Sequence, residues 1–506
     1  MRSSFNRVLG AVFLFFLLAS GAPVLSAEGY VSDRAQFAYA KRLFDNKDYA
    51  LSAREFSRVT ERFPFTEFKE RAHYLTALSL LRDKRYKEAK DGFEIFIRNF
   101  GESVYREEAL KGALIAEKKL KEEGERIPVL RVVKLKPAPA MSAAMRAAQV
   151  LVFEGTTPEE IKKEISRMSS LGVNAIILRV FHNSFDRGFF TKERTAEGGV
   201  YFRSSRAPVK ADVLSLAAAE ARRNGIKIFA WMTTRYADYG VEERNELACR
   251  GYDIEKGVFT RCRGLDLFND ETVERLEGLY SDLASYDIDG ILFQDDLILK
   301  HNEGFGPFAE ALYRRDTGGR LDAKGLYATR GDGRVAYTAE FWKWASWKNK
   351  RLLYVAGRLK KAVRAKNPDV EFAINMMYES VTNPRSALAW FSQDFRETVK
   401  SGFDYYSIMA YHKQMSDELG KDNEEISRLI EDLASEAVEI AGEPRKVLIK
   451  FQTVDWTTGE PIDYGEVTEL ARRIEAKGVS MAVMPYMADF PFGAFCGTNG
   501  LVSLER

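Results

Sequence analysis

Ile288-Asp289-Gly290-Ile291-Leu292-Phe293-Gln294-Asp295-Asp296 holds the reading that decides the fold. A run of Ile, Leu and Phe ends abruptly in two neighbouring carboxylates. A strand buried on both faces of a parallel sheet reads as such a continuous run. Ionised groups cannot stay inside it unpaired, so Asp295 and Asp296 belong where the strand leaves the core. In a barrel of alternating strands and helices, that exit is the face on which catalytic groups are mounted. Asp289-Gly290, on the entry side, reads as a turn from helix into strand.

Around this strand the same pattern repeats. From residue 147 to 506, strand-like runs alternate with amphipathic helices. The runs are 150–153, 175–181, 227–232, 290–294, 371–376, 405–410, 447–452 and 480–484. Helices such as 158–170, 212–224 and 271–284 fall between them. Gly172, Gly225, Gly402 and Gly478 sit just before runs, where helix-stopping residues are expected. Eight such units predict an α/β fold, a (β/α)8 TIM-like barrel with enlarged loops. A doubly wound sheet is the alternative, but no Gly-rich phosphate turn follows any run. The string Phe341-Trp342-Lys343-Trp344-Ala345-Ser346-Trp347 has helical spacing, so its rings read as packing.

Residues 31–122 have a different period. Tyr49, Phe56, Phe63 and Ala72 recur as Tyr86, Phe93, Phe100 and Ala109, each 37 positions later. Spacings of seven set apolar residues on one helix face. Phe63-Pro64 and Phe100-Gly101 mark helix breaks. Repeats of this length, built from helix pairs, point to a solenoid. The segment resembles the short tetratricopeptide arrays of bacterial envelope proteins, which implies an all-α domain that binds a protein partner of the envelope. A helical bundle that only caps its neighbour is the alternative. Residues 123–146, with Pro128, Pro137 and Pro139, read as a linker.

Composition bounds the compartment and the partners. Arg2 and Arg7 precede an apolar run over 8–20, and Ala27 offers a small residue for cleavage, so 1–27 reads as a signal peptide. The protein is then exported, periplasmic or otherwise in the cell envelope. No later apolar run reaches spanning length, so no transmembrane segment is expected after cleavage. Loss of 1–27 takes the formal charge from +2 to zero, which leaves no electrostatic footprint for nucleic acid. Cys249 and Cys262 read equally well as a bridge or as two thiols, and Cys496 stands apart. The four His residues (73, 182, 301 and 412) lack metal-ligand spacing. Neither a metal nor a cofactor is expected.

In a barrel the strand ends converge on one cleft. They carry Arg179, His182-Asn183, Trp231, Asp295-Asp296, Asn375, Tyr411-His412, Gln452, Asp455-Trp456, Tyr486 and Asp489. Carboxylates, amides and aromatic rings together suit a carbohydrate. Rings pack on the apolar faces of sugars, while amides and acids bond the hydroxyls. Glycosidic cleavage usually needs two carboxyl groups, one to protonate the leaving oxygen and one to act as nucleophile or base. Asp295 and Asp296 are the candidates for catalysis. Trp231, Asn375, Tyr411, Gln452, Trp456, Tyr486 and Asp489 are the candidates for substrate binding.

Several stretches carry a family resemblance. They are Gly264-Leu265-Asp266-Leu267-Phe268-Asn269-Asp270, Leu279-Tyr280-Ser281-Asp282-Leu283-Ala284 and Asp289-Gly290-Ile291-Leu292-Phe293-Gln294-Asp295-Asp296. Pro208-Val209-Lys210-Ala211-Asp212, Ile228-Phe229-Ala230-Trp231-Met232 and Phe403-Asp404-Tyr405-Tyr406-Ser407-Ile408-Met409-Ala410 add support. Together they resemble the C-terminal glycoside hydrolase domain of PgaB-type poly-β-1,6-N-acetylglucosamine hydrolases, over about residues 147–495. The resemblance implies a (β/α)8 hydrolase acting on a partly de-N-acetylated biofilm exopolysaccharide. Free amines make that polymer cationic, which suits an acidic cleft.

Two departures stand out. The family has His where this chain has Gln294. The family's loop after the pair carries further acids, one of them assigned to catalysis. Here it reads Leu297-Ile298-Leu299-Lys300-His301-Asn302-Glu303-Gly304, so that His301 replaces an Asp and Glu303 is the one acid left. Glu303 is therefore a third catalytic candidate. PgaB proteins also have an N-terminal metal-dependent deacetylase, whose ligand pattern this chain lacks. A non-catalytic polysaccharide-binding or export scaffold is the alternative that these departures favour.

Overall fold

The computed structural model describes residues 33–63, 66–101, 103–126, 144–183, 198–329 and 335–497. Residues 1–27, read above as a signal peptide, and the Pro-bearing part of the expected linker lie outside them, as does Pro64. The chain divides into two compact units, residues 1–133 and 134–506.

The first unit has five helices: α1 (Asp33–Asp45), α2 (Tyr49–Arg62), α3 (Lys69–Arg82), α4 (Tyr86–Asn99) and α5 (Arg106–Arg126). The 37-residue repeat sets its geometry. Phe56 and Phe93 are fully buried, as are Ala72 and Ala109. Lys47 and Lys84, also 37 apart, both adopt positive φ, at 66° and 64°. The turns they form close alike, with Asp48 N–H donating to Leu43 O and Arg85 N–H to Leu80 O. Small residues let the helices approach. A Cβ on Gly112 would fall 2.5 Å from the Phe93 ring.

The second unit is a closed barrel of eight parallel strands: β1 (Arg146–Val150), β2 (Ala175–Arg179), β3 (Lys227–Met232), β4 (Gly290–Phe293), β5 (Glu371–Met377), β6 (Tyr405–Met409), β7 (Val447–Gln452) and β8 (Ser480–Met484). The ring closes between β8 and β1, where Ala147 pairs with Ala482. Seven of the eight runs fall where the sequence sets them. The first does not, because β1 lies at 146–150, before the run at 150–153. Its Ala147-Ala148-Gln149 core lacks the branched residues that mark a strand. Gly172, Gly225, Gly402 and Gly478 all have positive φ, ending helices as expected.

The barrel interior is packed across its width. The rings of Phe229 on β3 and Tyr405 on β6 meet edge to face at 5.6 Å. Gly290 on β4 makes room for them. On the outer face, Phe293 stacks on Tyr280 and Phe372. The Trp-rich string lies in the helix Ala339–Arg364, where Phe341 and Trp344 are fully buried, so its rings do pack. After β3 an antiparallel sheet is built from Ala248–Asp253, Val258–Leu265 and Glu303–Phe305. A disulfide joins Cys249 to Cys262 across its hairpin. No described helix is long and apolar enough to cross a membrane.

Gly290 gives a direct test of the interior. A Cβ there would lie within the van der Waals envelope of the Phe229 ring. Gly290→Ala is expected to cost about 1–3 kcal/mol by overpacking, measured by denaturant titration. Adding Phe229→Leu should recover part of the loss. An unaffected single variant would show that the barrel is slack at this layer.

Candidate active site

The mouth is built on alternation. Phe229 and Tyr405 point inward, so Trp231 and Ser407, two residues on, point inward as well. Ala373 pairs with Tyr405, which turns Asn375 inward too. On the opposite wall Lys450 of β7 donates to Gln149 Oε1 of β1 at 3.1 Å, spanning β8. Gln149, Asn375, Ser407 and Lys450 are at most 2% exposed. Gln149 Nε2, Asn375 Oδ1 and Ser407 Oγ have no hydrogen-bond partner in the protein. A polar layer thus lies beneath the mouth. A buried polar group left unpaired costs about 1–3 kcal/mol, so such a layer suits a place that water or ligand hydroxyls reach.

At the end of β4 the two aspartates part company. Asp295 is partly exposed. Its charge acts on the Tyr411 phenol and the Lys450 amine, which belong to the β6 and β7 side of the ring. It therefore stands over the mouth. Burial pulls the Lys450 amine down to about 7, with Asp295 pulling the other way. Burial, and then Asp295, push the Tyr411 phenol well up. Tyr411 meets Trp456 edge to face at 5.3 Å, forming an aromatic wall.

Asp296 corrects the expectation of a catalytic pair. It is 2% exposed. Its oxygens accept from Thr233 Oγ1 at 2.7 Å, Thr234 Oγ1 at 2.8 Å, and the Thr234 and Tyr236 N–H groups. It ties down the loop after β3 and has no lone pair turned to the mouth. Glu303 is also corrected. It is 7% exposed and accepts from Arg235 at 2.7 Å and Lys300 N–H at 3.2 Å. The fully buried Lys348 amine donates to the Lys300 and Glu303 carbonyls. His301 lies against Trp390, with ring centroids 4.3 Å apart. Burial holds it down to about 4, so it is neutral. The loop that is acidic in the resembled family is here a buried knot.

Other candidates scatter. Trp231 is 4% exposed; its indole donates to Gln294 Oε1, so it fills the floor of the mouth and offers no open ring. Gln452 spends both ends of its amide within the protein, accepting from Gln414 N–H in the helix His412–Leu419 and donating to Val454 O. Tyr486 is buried over Phe492, within the field of Glu164 and Arg167, and is no sugar platform. Asp489 is exposed and accepts from the Tyr464 hydroxyl. Asp455 caps its own turn. Asn183 accepts from Tyr239 and lines a cavity of about 360 Å³ with Asp238 and Arg263. Asp295, Asn375, Tyr411 and Trp456 remain at or beneath the mouth. Among the described residues no cluster suits a metal ion.

One carboxyl was not legible in the sequence. Glu379 stands two residues past β5, the same offset as Asp295 past β4 and Tyr411 past β6. Burial pushes it up to about 7, and Glu418 adds to this. Glu418 accepts from the Tyr378 hydroxyl and the Gln414 amide. Its carboxyl therefore titrates far closer to neutrality than an ordinary glutamate. Only its offset from the strand end hints at it, since no apolar run leads directly into it.

With this geometry in place, comparison with known proteins is decisive for the family. Residues 155–484 match the model described as hypothetical glycosyl hydrolase family 13. The chain belongs to that family. It is a glycoside hydrolase. The fold is also that of the glycoside hydrolase domain of PgaB (BpsB) from Bordetella bronchiseptica. That match has a TM-score of 0.56 and 21% identity, over 71% of this chain and 100% of that one. The catalytic domain of a β-amylase from Paenibacillus polymyxa matches at a TM-score of 0.42 and 12% identity, over 68% and 93%. No curated protein matches the chain.

The two aspartates separate by stability. Asp296→Asn is expected to lower unfolding free energy by about 2–4 kcal/mol, since its amide hydrogens would face donors. Asp295→Asn should change it by less than about 1 kcal/mol. Equal losses in denaturant titrations of this hydrolase would contradict the division. Glu303 gives a pH test. Burial alone would raise its carboxyl, but the Arg235 charge and hydrogen bond outweigh it and hold the group below its ordinary value. Its contribution is then present above pH 4.5 and lost as pH falls through the lower folded value. Glu303→Gln should cost about 3 kcal/mol at neutral pH and flatten the acid limb of stability. Parallel acid limbs in urea would refute this.

Proposed function

We propose that this hydrolase is exported and cleaves an exopolysaccharide of the cell envelope, most directly partly de-N-acetylated poly-β-1,6-N-acetylglucosamine. The observation that carries the reading is Asp295, a carboxylate over the barrel mouth beside an aromatic wall and above a polar layer. Asp295 is the charged partner in the reaction, as nucleophile, base or charge stabiliser. Glu379, whose carboxyl burial pushes up to about 7, is the candidate proton donor. Acid and base roles require one carboxyl that can give up a proton and one that is charged. Tyr411 and Trp456 offer rings for a sugar face, and Asn375 has a buried acceptor without a partner in the protein.

The polymer assignment rests on the family-like motifs and on the PgaB-type fold. A cationic amine suits Asp295, and the Lys450 charge that would oppose it is weakened by burial. Export is supported by the signal-like segment and by the Cys249–Cys262 bridge, since disulfides persist in oxidising compartments. The helical unit is the candidate for contact with another envelope protein.

A second reading has its own observation. Asp296 and Glu303 are both locked into structure, which supports a hydrolase that binds this polymer while cutting a different envelope glycan. Incubation of the full chain with de-N-acetylated β-1,6-glucosamine oligomers, followed by mass spectrometry, separates the two. Shorter products are expected with the wild type, and a loss of about 10²–10⁴-fold with Asp295→Asn and with Glu379→Gln. Intact oligomers despite measurable binding would sink hydrolysis of this polymer and leave the binding reading.

A further inference from the structure

Within the helical unit, no described residue covers the last face, and the repeat itself reveals this. In the first repeat, α3 carries Ala77, which is fully buried. It lies against α4, where a Cβ on Gly92 would come 3.1 Å from the Ala77 Cβ. Thirty-seven positions on, α5 carries Leu114 in place of Ala77 and Ile115 in place of Leu78. They are 65% and 49% exposed, with Leu110 beside them at 39%. A repeat buries its apolar face only by stacking on the next, and a soluble end needs a polar outer face. The outer face of α5 is apolar along its centre.

We propose that this face of α5 binds a second copy of this chain, with the two α5 helices antiparallel about a two-fold axis between Gly112 and Ala113. Charge makes the choice. Glu107, Leu110, Lys111, Leu114 and Lys118 form one exposed stripe, with Ile115 at its edge. About that axis, Glu107 of one copy meets Lys118 of the other. Leu110 meets Ile115, and the Lys111 stem covers Leu114. A parallel pair would set Glu on Glu and Lys on Lys. A head-to-tail stack lacks a complementary surface, because the exposed positions of α1 are Arg34, Ala38, Arg42 and Asp45. A two-fold contact uses one patch twice and closes on itself.

Light scattering on the eluting full chain, over a range of concentrations, tests this. A reversible dimer is expected. Leu114→Glu, at an already exposed site, should weaken it by at least about tenfold. Glu107→Lys alone and Lys118→Glu alone should each weaken it, and the double swap should restore it. A merely damaged helix would not be rescued in this way. A wild-type monomer at every concentration would overturn the proposal, leaving a different protein as occupant. A dimer indifferent to Leu114→Glu would assign the contact to another surface, and a double swap without rescue would overturn the antiparallel register.

Discussion

Asp296 is the interaction on which the mouth depends. Where β4 ends, two adjacent carboxylates cannot share one direction, so the chain divides their work. Asp296 turns back and accepts two threonine hydroxyls and two backbone N–H groups from the loop after β3. A carboxylate bonded in this way is stable in its charged form. It also fixes the turn that sends Asp295 the other way, toward Tyr411 and Lys450. The exposed acid is placed by the buried one.

The loop that follows obeys the same logic. Arg235 sits one residue past the threonines that hold Asp296, and its guanidinium pairs with Glu303 in the core. Removing one partner of such a pair strands a buried charge, so Glu303 is held in place by Arg235. Lys348 adds two carbonyl contacts, and His301 is neutral against Trp390. Positions that carry acids in the resembled family have become a clamp between the antiparallel sheet and the barrel.

Sequence periodicity carried the architecture because buried parallel strands write themselves as apolar runs, and seven of eight were read in place. The first strand was misread because Ala147-Ala148-Gln149 carries no such run. The helical repeat was legible for a similar reason, since Phe and Ala must recur wherever helices touch at the same depth. Site residues were legible only as distances along the chain from a strand end. Distance cannot say which way a side chain leaves the turn, which is why Asp295 and Asp296 read alike while one is buried. Tyr486 failed for the same reason: it follows β8 closely, yet its ring leaves toward Phe492. Glu379 was passed over because it follows Met377-Tyr378 inside a short helix, and burial, not sequence, tunes its carboxyl.

The polar layer beneath the mouth closes the argument. Interiors of such barrels are ordinarily filled by Val, Ile and Leu. Above the Phe229–Tyr405 contact the filling changes to Gln149, Asn375, Ser407 and Lys450. Each unpaired group in that layer would cost about 1–3 kcal/mol in a dry core, and aliphatic replacements would fold more stably. Departures from packing rules of this kind concentrate where a protein works. The layer gives Asp295 polar ground and a nearby amine, while the strands below it hold the geometry. Stability is stored in the lower barrel, and the upper barrel gives some of it up.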